Sequence, residues 1–423
     1  MTDATTLPRL LRGATGETLT LAQHEALFPR TARSASLLDE LDASGLTGRG
    51  GAAFSTAAKA RLLRSHRSHS KSVVVNAMEG EPASRKDATM LGANPHLVLD
   101  GAEALGSIIG TSDIIICVPL GQRTLLGHVE RAVSERLHRG ERGASFVIQT
   151  PPARYISGEE SALTHWLSEQ EALPLYRPQR PTVLRVRQRS VLVQNAETCA
   201  NVGLIAREGA DWFRAVGTDA SAGSTLVTLS GAVERPQVLE VALGTPLRSL
   251  LDAGYAESNL RAVLLGGYGG SWLDGSLLDT PYANEALSPH GATVGAGVVV
   301  ALGEEGCGIT ETARIVQWMA GESAQQCGPC AFGLPSLANH LASLASGGLG
   351  ASDALERLNE HCETISGRSA CHHPDGVVRL VRSALEVFRD DAKAHANAQP
   401  CFGSTSGRRY ARVPGLARAR TAS

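Results

Sequence analysis

Apolar positions along this chain recur with two different periods, and each change of period marks an element. Residues 37 to 65 read as a helix (SLLDELDASG), a glycine loop (GLTGRGGAAF) and a second helix (STAAKARLLR), of which the loop is the informative part. KSVVVNAMEGEP reads as a buried strand running into a loop, NPHLVLDGAEALGSIIG is apolar at helical spacing, and SDIIICVPLG is another short apolar strand. TLLGHVERAVSERLHRG is an amphipathic helix and ASFVIQTP a third strand. Strands alternating with helices predict a parallel α/β sheet, giving a first domain over residues 37–220 behind an N-terminal segment 1–36. Beyond it, STLVTLSGAVERPQVLEVALG is a hairpin-like pair around a turn, followed by a short helix (PLRSLLDAG) and AVLLGGYGGSWL, a compact α+β module over 221–303. From TETARIVQWMAGESAQQCGPCAFG onward apolar residues fall at i, i+3, i+4 and i+7, the stripe of a helical domain over 304–392. After Asp391 the chain carries Lys393 and five arginines without an acid, among Gly, Ser and Pro, so 393–423 reads as a disordered basic tail.

Composition narrows the picture. A chain of 423 residues is long enough for two or three domains. Lys+Arg 40 against Asp+Glu 42 leaves a net charge of −2, so bulk charge recruits neither nucleic acid nor an anionic membrane. The N-terminus has no charged-then-apolar signal profile, and no apolar run approaches the roughly 18 residues of a membrane span, which predicts a cytoplasmic protein without direct membrane insertion. Glycine is in excess at 45 residues, so many backbone positions need positive φ or close approach, as loops do where they wrap a phosphate or flavin. Eight cysteines in a reducing compartment favour metal or redox chemistry over disulfides.

Four constellations carry candidate chemistry. Gly48, Arg49, Gly50, Gly51 and Phe54 precede a helix whose exposed backbone N–H groups and dipole favour an anion, with Arg49 and Lys59 as nearby cations. The spacing is neither Walker A nor G-x-G-x-x-G, so a phosphate site and a tight structural turn both remain open. Asn76, Glu79, Glu81 and Lys86-Asp87 follow the strand VVV at the carboxyl end, where ligands of open α/β sheets collect; a solvated loop closed by Pro82 is the plainer alternative. Tyr155, Gly158, Glu159 and Glu160 lie at the start of a helix, where paired acids either line a pocket or complement the dipole. Cys327-Gly328-Pro329-Cys330 lets two thiolates reach one metal or iron–sulfur cluster, and Cys371, beside His372 and His373 and preceded by His361 and Cys362, supplies further soft ligands. Cys117, Cys199 and Cys307 lie in apolar contexts and read as inert core residues.

Taken in order, GLTGRGGAAF, VVVNAMEGEP, YISGEESAL, VLVQNAETCANV, ESAQQCGPC and ISGRSAC resemble the flavin-bearing, NADH-oxidising subunit of respiratory complex I and related soluble hydrogenases and formate dehydrogenases, over residues 40 to 390. The resemblance implies an α/β FMN-binding domain with a parallel sheet, then a ubiquitin-like β-grasp (SLBB-type) domain, then a C-terminal helical bundle carrying a 4Fe-4S cluster. It implies that Gly48, Gly50, Gly51 and Lys59 hold FMN, joined by Asn76, Glu79, Gly158, Glu159, Asn195 and Thr198. Phe54, Glu81 and Glu160 match positions that receive the dinucleotide, and Cys327, Cys330 and Cys371 match three of four cluster ligands. Lys59, Glu81 and Glu160 are thus the candidate catalytic residues, with Arg49 and Tyr155 beside the cofactor.

Departures from the family pattern qualify this. The first cysteine ligand is Ala324, leaving open a site completed by Cys362, His372 or His373, a 3Fe-4S cluster on three cysteines, or a lost cluster. Met78 stands where the family motif N-A-D-E has an acid beside the flavin. Arg180 replaces an aromatic in the stretch Arg177–Pro181, so NADP(H) competes with NAD(H) as the dinucleotide. The implied partner is a ferredoxin or thioredoxin-like 2Fe-2S subunit, within a larger oxidoreductase complex or peripheral to a membrane complex. Arg408, Arg409, Arg412, Arg418 and Arg420 either steer that acidic partner or form a solvated tail. The rival reading is a degenerate, non-catalytic paralogue serving assembly or docking.

Overall fold

The computed structural model describes residues 5–29, 36–68, 70–139, 143–176, 183–348, 350–399 and 401–415. The chain divides into two units, one of residues 1–80, 85–227 and 238–244, the other of 81–84, 228–237 and 245–423.

The first unit alternates helices and strands: α1 (Leu21–Leu27), α2 (Leu37–Ser44), α3 (Thr56–Ser65), β1 (Lys71–Asn76), α4 (Lys86–Ala93), α5 (Pro95–Ile109), β2 (Asp113–Cys117), α6 (Arg123–His138), β3 (Ser145–Gln149), α7 (Glu160–Glu169), β4 (Leu184–Val186), β5 (Arg189–Asn195), α8 (Ala196–Glu208) and α9 (Ala210–Arg214). Its sheet runs β3-β2-β1-β5-β4. The β1/β2, β2/β3 and β1/β5 pairs are parallel, as the alternation predicts, and only β4 runs antiparallel, paired with β5. Strand β1 is buried along its whole middle because helices cover it, and α5 presents Leu97, Leu99, Ala102 and Leu105 to the same core. Helices α5 and α8 meet at backbone contact: a Cβ added to Gly101 would lie 1.6 Å from the Cys199 carbonyl oxygen, so no other residue fits there.

The order of strands locates the site. From β1 the chain moves to β2 and β3 on one side, and β5 lies on the other. The chain leaves β1 through a loop and β5 directly into α8, and Asn76 and Asn195 face each other in register at this switch point.

Behind the sheet, Asp100 on α5 accepts from Arg136 (2.7 Å) and His24 (2.8 Å) and pairs with Arg207, which holds its carboxyl far below the usual range. Neighbouring His96 takes a hydrogen bond at Nδ1 from Arg136 (3.4 Å) and meets Glu135 through Nε2 (3.1 Å). Burial first, then the Arg136 guanidinium and His24, push His96 down to about 4. Because His96 stays neutral in the fold while an unfolded histidine titrates near 6.5, the unfolded chain binds the extra proton between those two values. Stability is therefore full above pH 6.5 and falls as the pH drops towards 4, by up to about 1.4 kcal/mol per unit from this group. Urea unfolding at pH 7, 6 and 5 reads this slope, and His96→Gln should flatten it; an unchanged slope in the variant would assign the loss to other groups.

Strand β6 (Ser224–Gly231) and β7 (Gln237–Ala242) precede α10 (Leu247–Ala253), β8 (Leu260–Leu265), β9 (Ser271–Asp274), α11 (Asn284–Leu287) and β10 (Val298–Gly303), and the second sheet runs β7-β6-β10-β8-β9. β10 is parallel to β6 and antiparallel to β8, and β8 and β9 form an antiparallel pair. Helices α12 (Gly308–Gly321), α13 (Leu334–Ser346), α14 (Ala351–Ile365), α15 (His373–Val387), α16 (Arg389–Ala396) and α17 (Phe402–Ser406) follow. The module expected over 221–303 and the helices expected over 304–392 belong to one unit, apart from residues 221–227 and 238–244. Buried Trp272 on β9 explains the union: its Nε1 donates to Thr312 on α12 (2.9 Å), its backbone N to Ser383 on α15 (3.0 Å), and its ring meets Phe388 edge-on.

The expected disordered tail from residue 393 is corrected as far as residue 415. Cys401, Ala411 and Val413 are buried, Arg408 pairs with Glu257 and Glu305 (3.1 Å each), and Tyr268 donates to the Arg412 carbonyl (2.6 Å). Counting charge overlooked the small apolar residues between the arginines. Arg418 and Arg420 lie outside the described residues. Among the described residues no helix is long and apolar enough to cross a membrane.

Candidate functional site

In the first unit four loops converge at the carboxyl ends of β1 and β5. The glycine loop is pinned at its base by Gly48 N to Phe54 O (2.8 Å) and by Arg49 N to Thr198 Oγ1 (2.8 Å). Between these pins residues 50–55 are exposed, and among the described residues no protein acceptor takes the amides of Gly50 to Ala53. Gly51 has φ 106°, a conformation that disfavours any side chain, and a Cβ on Gly50 would lie 3.3 Å from Asn195 Cβ. These are the features of an anion cradle at the start of α3, whose N-cap is Ser55.

Arg49 is corrected as a phosphate cation. Its side chain is buried, and its guanidinium donates to Thr47 Oγ1 (3.0 Å) and to the carbonyls of Ala222 (3.1 Å) and Ser224 (3.3 Å), so it braces the loop from behind. The half-buried Lys59 on α3 forms an ion pair with Glu160 at the first position of α7. The pair is partly open to solvent, and Phe54 beside the loop is exposed.

Asn76 donates from Nδ2 to the Gly158 carbonyl (2.9 Å), tying the β1 end to the turn before α7. That turn begins at Tyr155, whose backbone leaves no room for a Cβ on Gly80. Glu79 accepts from the amides of Asp87 and Ala88 (2.9 Å each), capping α4, and Glu159 accepts from Ser161 and Ala162 N (2.9 Å each), capping α7. The dipole-complementing alternative thus holds for Glu159, and Glu79 likewise caps a helix instead of lying in a solvated loop. Asn195 caps α8 through Oδ1, which accepts from Glu197 N (3.0 Å) and Thr198 N (3.4 Å), while Nδ2 donates to Asp87 (2.6 Å).

Beneath Asn195 lies a charge cluster built on Lys86-Asp87, whose further member Glu197 sequence reasoning missed. Lys86, wholly buried, meets Asp87 (2.8 Å) and Glu197 (3.0 Å), and Glu197 in turn accepts from Thr225 Oγ1 (2.8 Å) and Leu226 N (2.9 Å). The sequence signal was an acid, Glu197, inside an otherwise apolar helix start. Met78 packs in the cluster of Val74, Cys117, Leu163 and Trp166, so its thioether fills core space and does not face the cleft.

Glu81 belongs to the second unit, where its carboxylate accepts from Tyr268 N (2.7 Å) and Ala83 N (3.2 Å). Arg177–Pro181, with Arg180, lie outside the described residues.

The second unit gathers the cysteines of the C-x-x-C motif. Cys330 is buried in a π-helical turn, Pro329–Gly333, a distortion that fits Pro335, which has no N–H to give an α-turn. Burial, then Cys327 and then Cys371 beside it, push the Cys330 thiol up to about 12. Of the suggested fourth ligands, His372 is largely exposed and faces Asp375 (3.4 Å), and Cys362, pushed up to about 11 by burial, has Arg382 and Glu363 as its charged neighbours. His373 bonds through Nε2 to the Met319 carbonyl (2.9 Å).

Comparison with known proteins fits both centres. Residues 41–204 match the Nuo51 FMN-binding domain, and residues 310–395 match the NADH-ubiquinone oxidoreductase-F iron-sulfur binding region. The F subunit of NADH-quinone oxidoreductase from Streptomyces coelicolor is 32% identical over 370 residues, 85% of this chain and 82% of the relative. The F 2 subunit of the same enzyme from Rhizobium meliloti is 30% identical over 371 residues, 85% of this chain and 88% of the relative. A chain of an NAD+-reducing [NiFe]-hydrogenase in the H2-reduced state superposes with a TM-score of 0.78 at 29% identity; the match covers 86% of this chain and 62% of that one, so this chain spans less than two thirds of the hydrogenase chain. FMN, NADH and an iron–sulfur cluster are the cofactors that these matches carry. With the FMN-binding and iron–sulfur-binding regions both present, the chain belongs to the family of NADH-quinone oxidoreductase F subunits.

Proposed function

We propose that this chain takes hydride from NAD(P)H at the first unit and passes single electrons through an iron–sulfur site on three cysteines to a ferredoxin or thioredoxin-like 2Fe-2S partner. The observation that carries the reading is the meeting of the open glycine loop with the Lys59–Glu160 pair at the switch point of the sheet. The donors fit FMN: the amides of Gly50 to Ala53 with Gly48 and Lys59 would hold its phosphate and ring edge. Asn76, Glu79, Gly158, Glu159, Asn195 and Thr198 would fix the loops around it, with Tyr155 opening the turn. FMN, when bound, accepts two electrons as hydride and releases them singly. Lys59 supplies positive charge where negative charge accumulates, and Phe54 and Glu160 would receive the dinucleotide, with Glu81 as the further candidate contact. Cys327, Cys330 and Cys371 would hold three corners of a cluster, with Ala324 leaving the fourth corner without a protein thiolate. The β-grasp (SLBB-type) identity of the module around β8–β10 and the helical-bundle identity of α12–α16 are part of this reading.

Anaerobic titration of the purified chain with NADH and, separately, NADPH tests it. Bleaching of the flavin absorbance by one nucleotide is expected, with an EPR signal that disappears in Cys327→Ala. Lys59→Met should slow bleaching by at least about tenfold. Bound flavin that neither nucleotide bleaches would overturn the donor assignment. Protein without flavin would favour the non-catalytic paralogue, the reading to which the departures at Ala324, Met78 and Arg180 point.

A further inference from the structure

Cys307, expected to be an inert core thiol, does not have apolar surroundings. It is the N-cap of α12, it accepts from Thr310 N (3.3 Å), and its Sγ lies 3.6 Å from His395 Nε2. The same Nε2 lies 3.3 Å from Cys401 Sγ. The three residues are 1%, 2% and 6% exposed, and the three ligand atoms all lie within 4.8 Å of one another. We propose that Cys307, His395 and Cys401 form a zinc site, distinct from the Cys327, Cys330 and Cys371 set, that staples the segment after α16 to the start of α12.

Geometry, charge and packing each support the assignment. In tetrahedral zinc coordination with Zn–S of about 2.3 Å and Zn–N of about 2.0–2.1 Å, a sulfur and a nitrogen ligand stand about 3.6 Å apart. The two separations here, 3.6 and 3.3 Å, already span that distance, so an ion enters the triangle with little rearrangement. A divalent ion with two thiolates and a neutral imidazole has no net charge, which allows burial without a further counter-ion. Packing brings the third ligand in at close range: Gly403, two residues after Cys401, approaches so near that a Cβ there would lie 2.3 Å from the Gly306 carbonyl and 2.5 Å from Cys307 N. Cys307 and Cys401 lie outside residues 310–395, the stretch matched to the iron–sulfur region, and His395 is the last residue of that stretch, so the group shares no cysteine with it. Among the described residues no fourth Cys, His, Asp or Glu joins the group, so water would take the fourth position.

The test measures metals in the purified full-length chain by mass spectrometry, in wild type and in Cys401→Ser and Cys327→Ala. About one zinc per chain is expected in wild type. Cys401→Ser should lose it while keeping its flavin and iron, and Cys327→Ala should keep it. Zinc-edge X-ray absorption on the wild type needs no variant and covers the case in which Cys401→Ser does not fold. It should give two sulfurs at about 2.3 Å and one nitrogen at about 2.0–2.1 Å. A wild type that takes up no zinc from added zinc salt, with both thiols free, would reduce the group to a hydrogen-bonded cluster. A mass two hydrogens lighter, from a Cys307–Cys401 disulfide, or an absorption fit to cysteine sulfurs without nitrogen, would equally overturn the site.

Discussion

Replacing Lys86 by methionine is expected to destabilise the first unit by about 3–5 kcal/mol, the range found when one partner of a buried charge group is removed. Burial alone would push Lys86 down, but Asp87, then Glu197 and Glu79, outweigh it and hold the ammonium well above the usual lysine range. Methionine fills much of the same volume, so the effect isolates charge: Asp87 and Glu197 would be left facing each other in the interior without their cation. At roughly 2–4 °C per kcal/mol for a unit of this size, the melting temperature should fall by about 6–20 °C in calorimetry. Lys86→Arg should recover part of the loss, and a fall under about 1 kcal/mol in Lys86→Met would mean that the carboxylates protonate instead of staying charged. Flavin content should fall along with stability, because Asn195 takes its orientation from Lys86 and Asp87.

Gly51→Val is expected to yield nearly colourless protein, with FMN affinity reduced by at least about tenfold, or about 1.4 kcal/mol. Valine at φ 106° costs about 1–3 kcal/mol of backbone strain, and the loop relieves it by turning amides away from the cradle. Gly16→Val separates strain from site: Gly16 has a similar φ of 95°, and nothing lies within 4 Å of an added Cβ. Comparable destabilisation with undiminished flavin is expected there. Equal flavin in both variants would remove the glycine loop from the phosphate site.

The parallel sheet was legible because β1 and β2 are continuous apolar runs between helices of clear periodicity, and such runs have few other places to go, with the half-exposed β3 at the edge. The shape of the glycine loop was legible because glycine dictates its backbone, with Gly51 at positive φ. Side-chain direction was not legible. Arg49 and Lys59 are both cations near the loop, but Arg49 turns inward to satisfy the carbonyls of Ala222 and Ser224, partners more than 170 residues away. Cys307 and Cys401 likewise look isolated in sequence, and only the return of the chain after α16 sets them on either side of His395. The ordering of residues 401–415 depends on the same long-range return, which charge counting along the chain does not register.

Carboxylates close the amino ends of α4 and α7, and this sets a selection rule for what the cleft admits. Those two helix ends would otherwise attract any dianion, including free phosphate from solution. With Glu79 and Glu159 already seated there, α4 and α7 each carry an acid at the amino end, while α3 has none in its first turn. On the proposed reading, in which the glycine loop seats the phosphate, a ligand with a single terminal phosphate would dock tail first, so the orientation of its ring system would be decided before any contact with the ring is made.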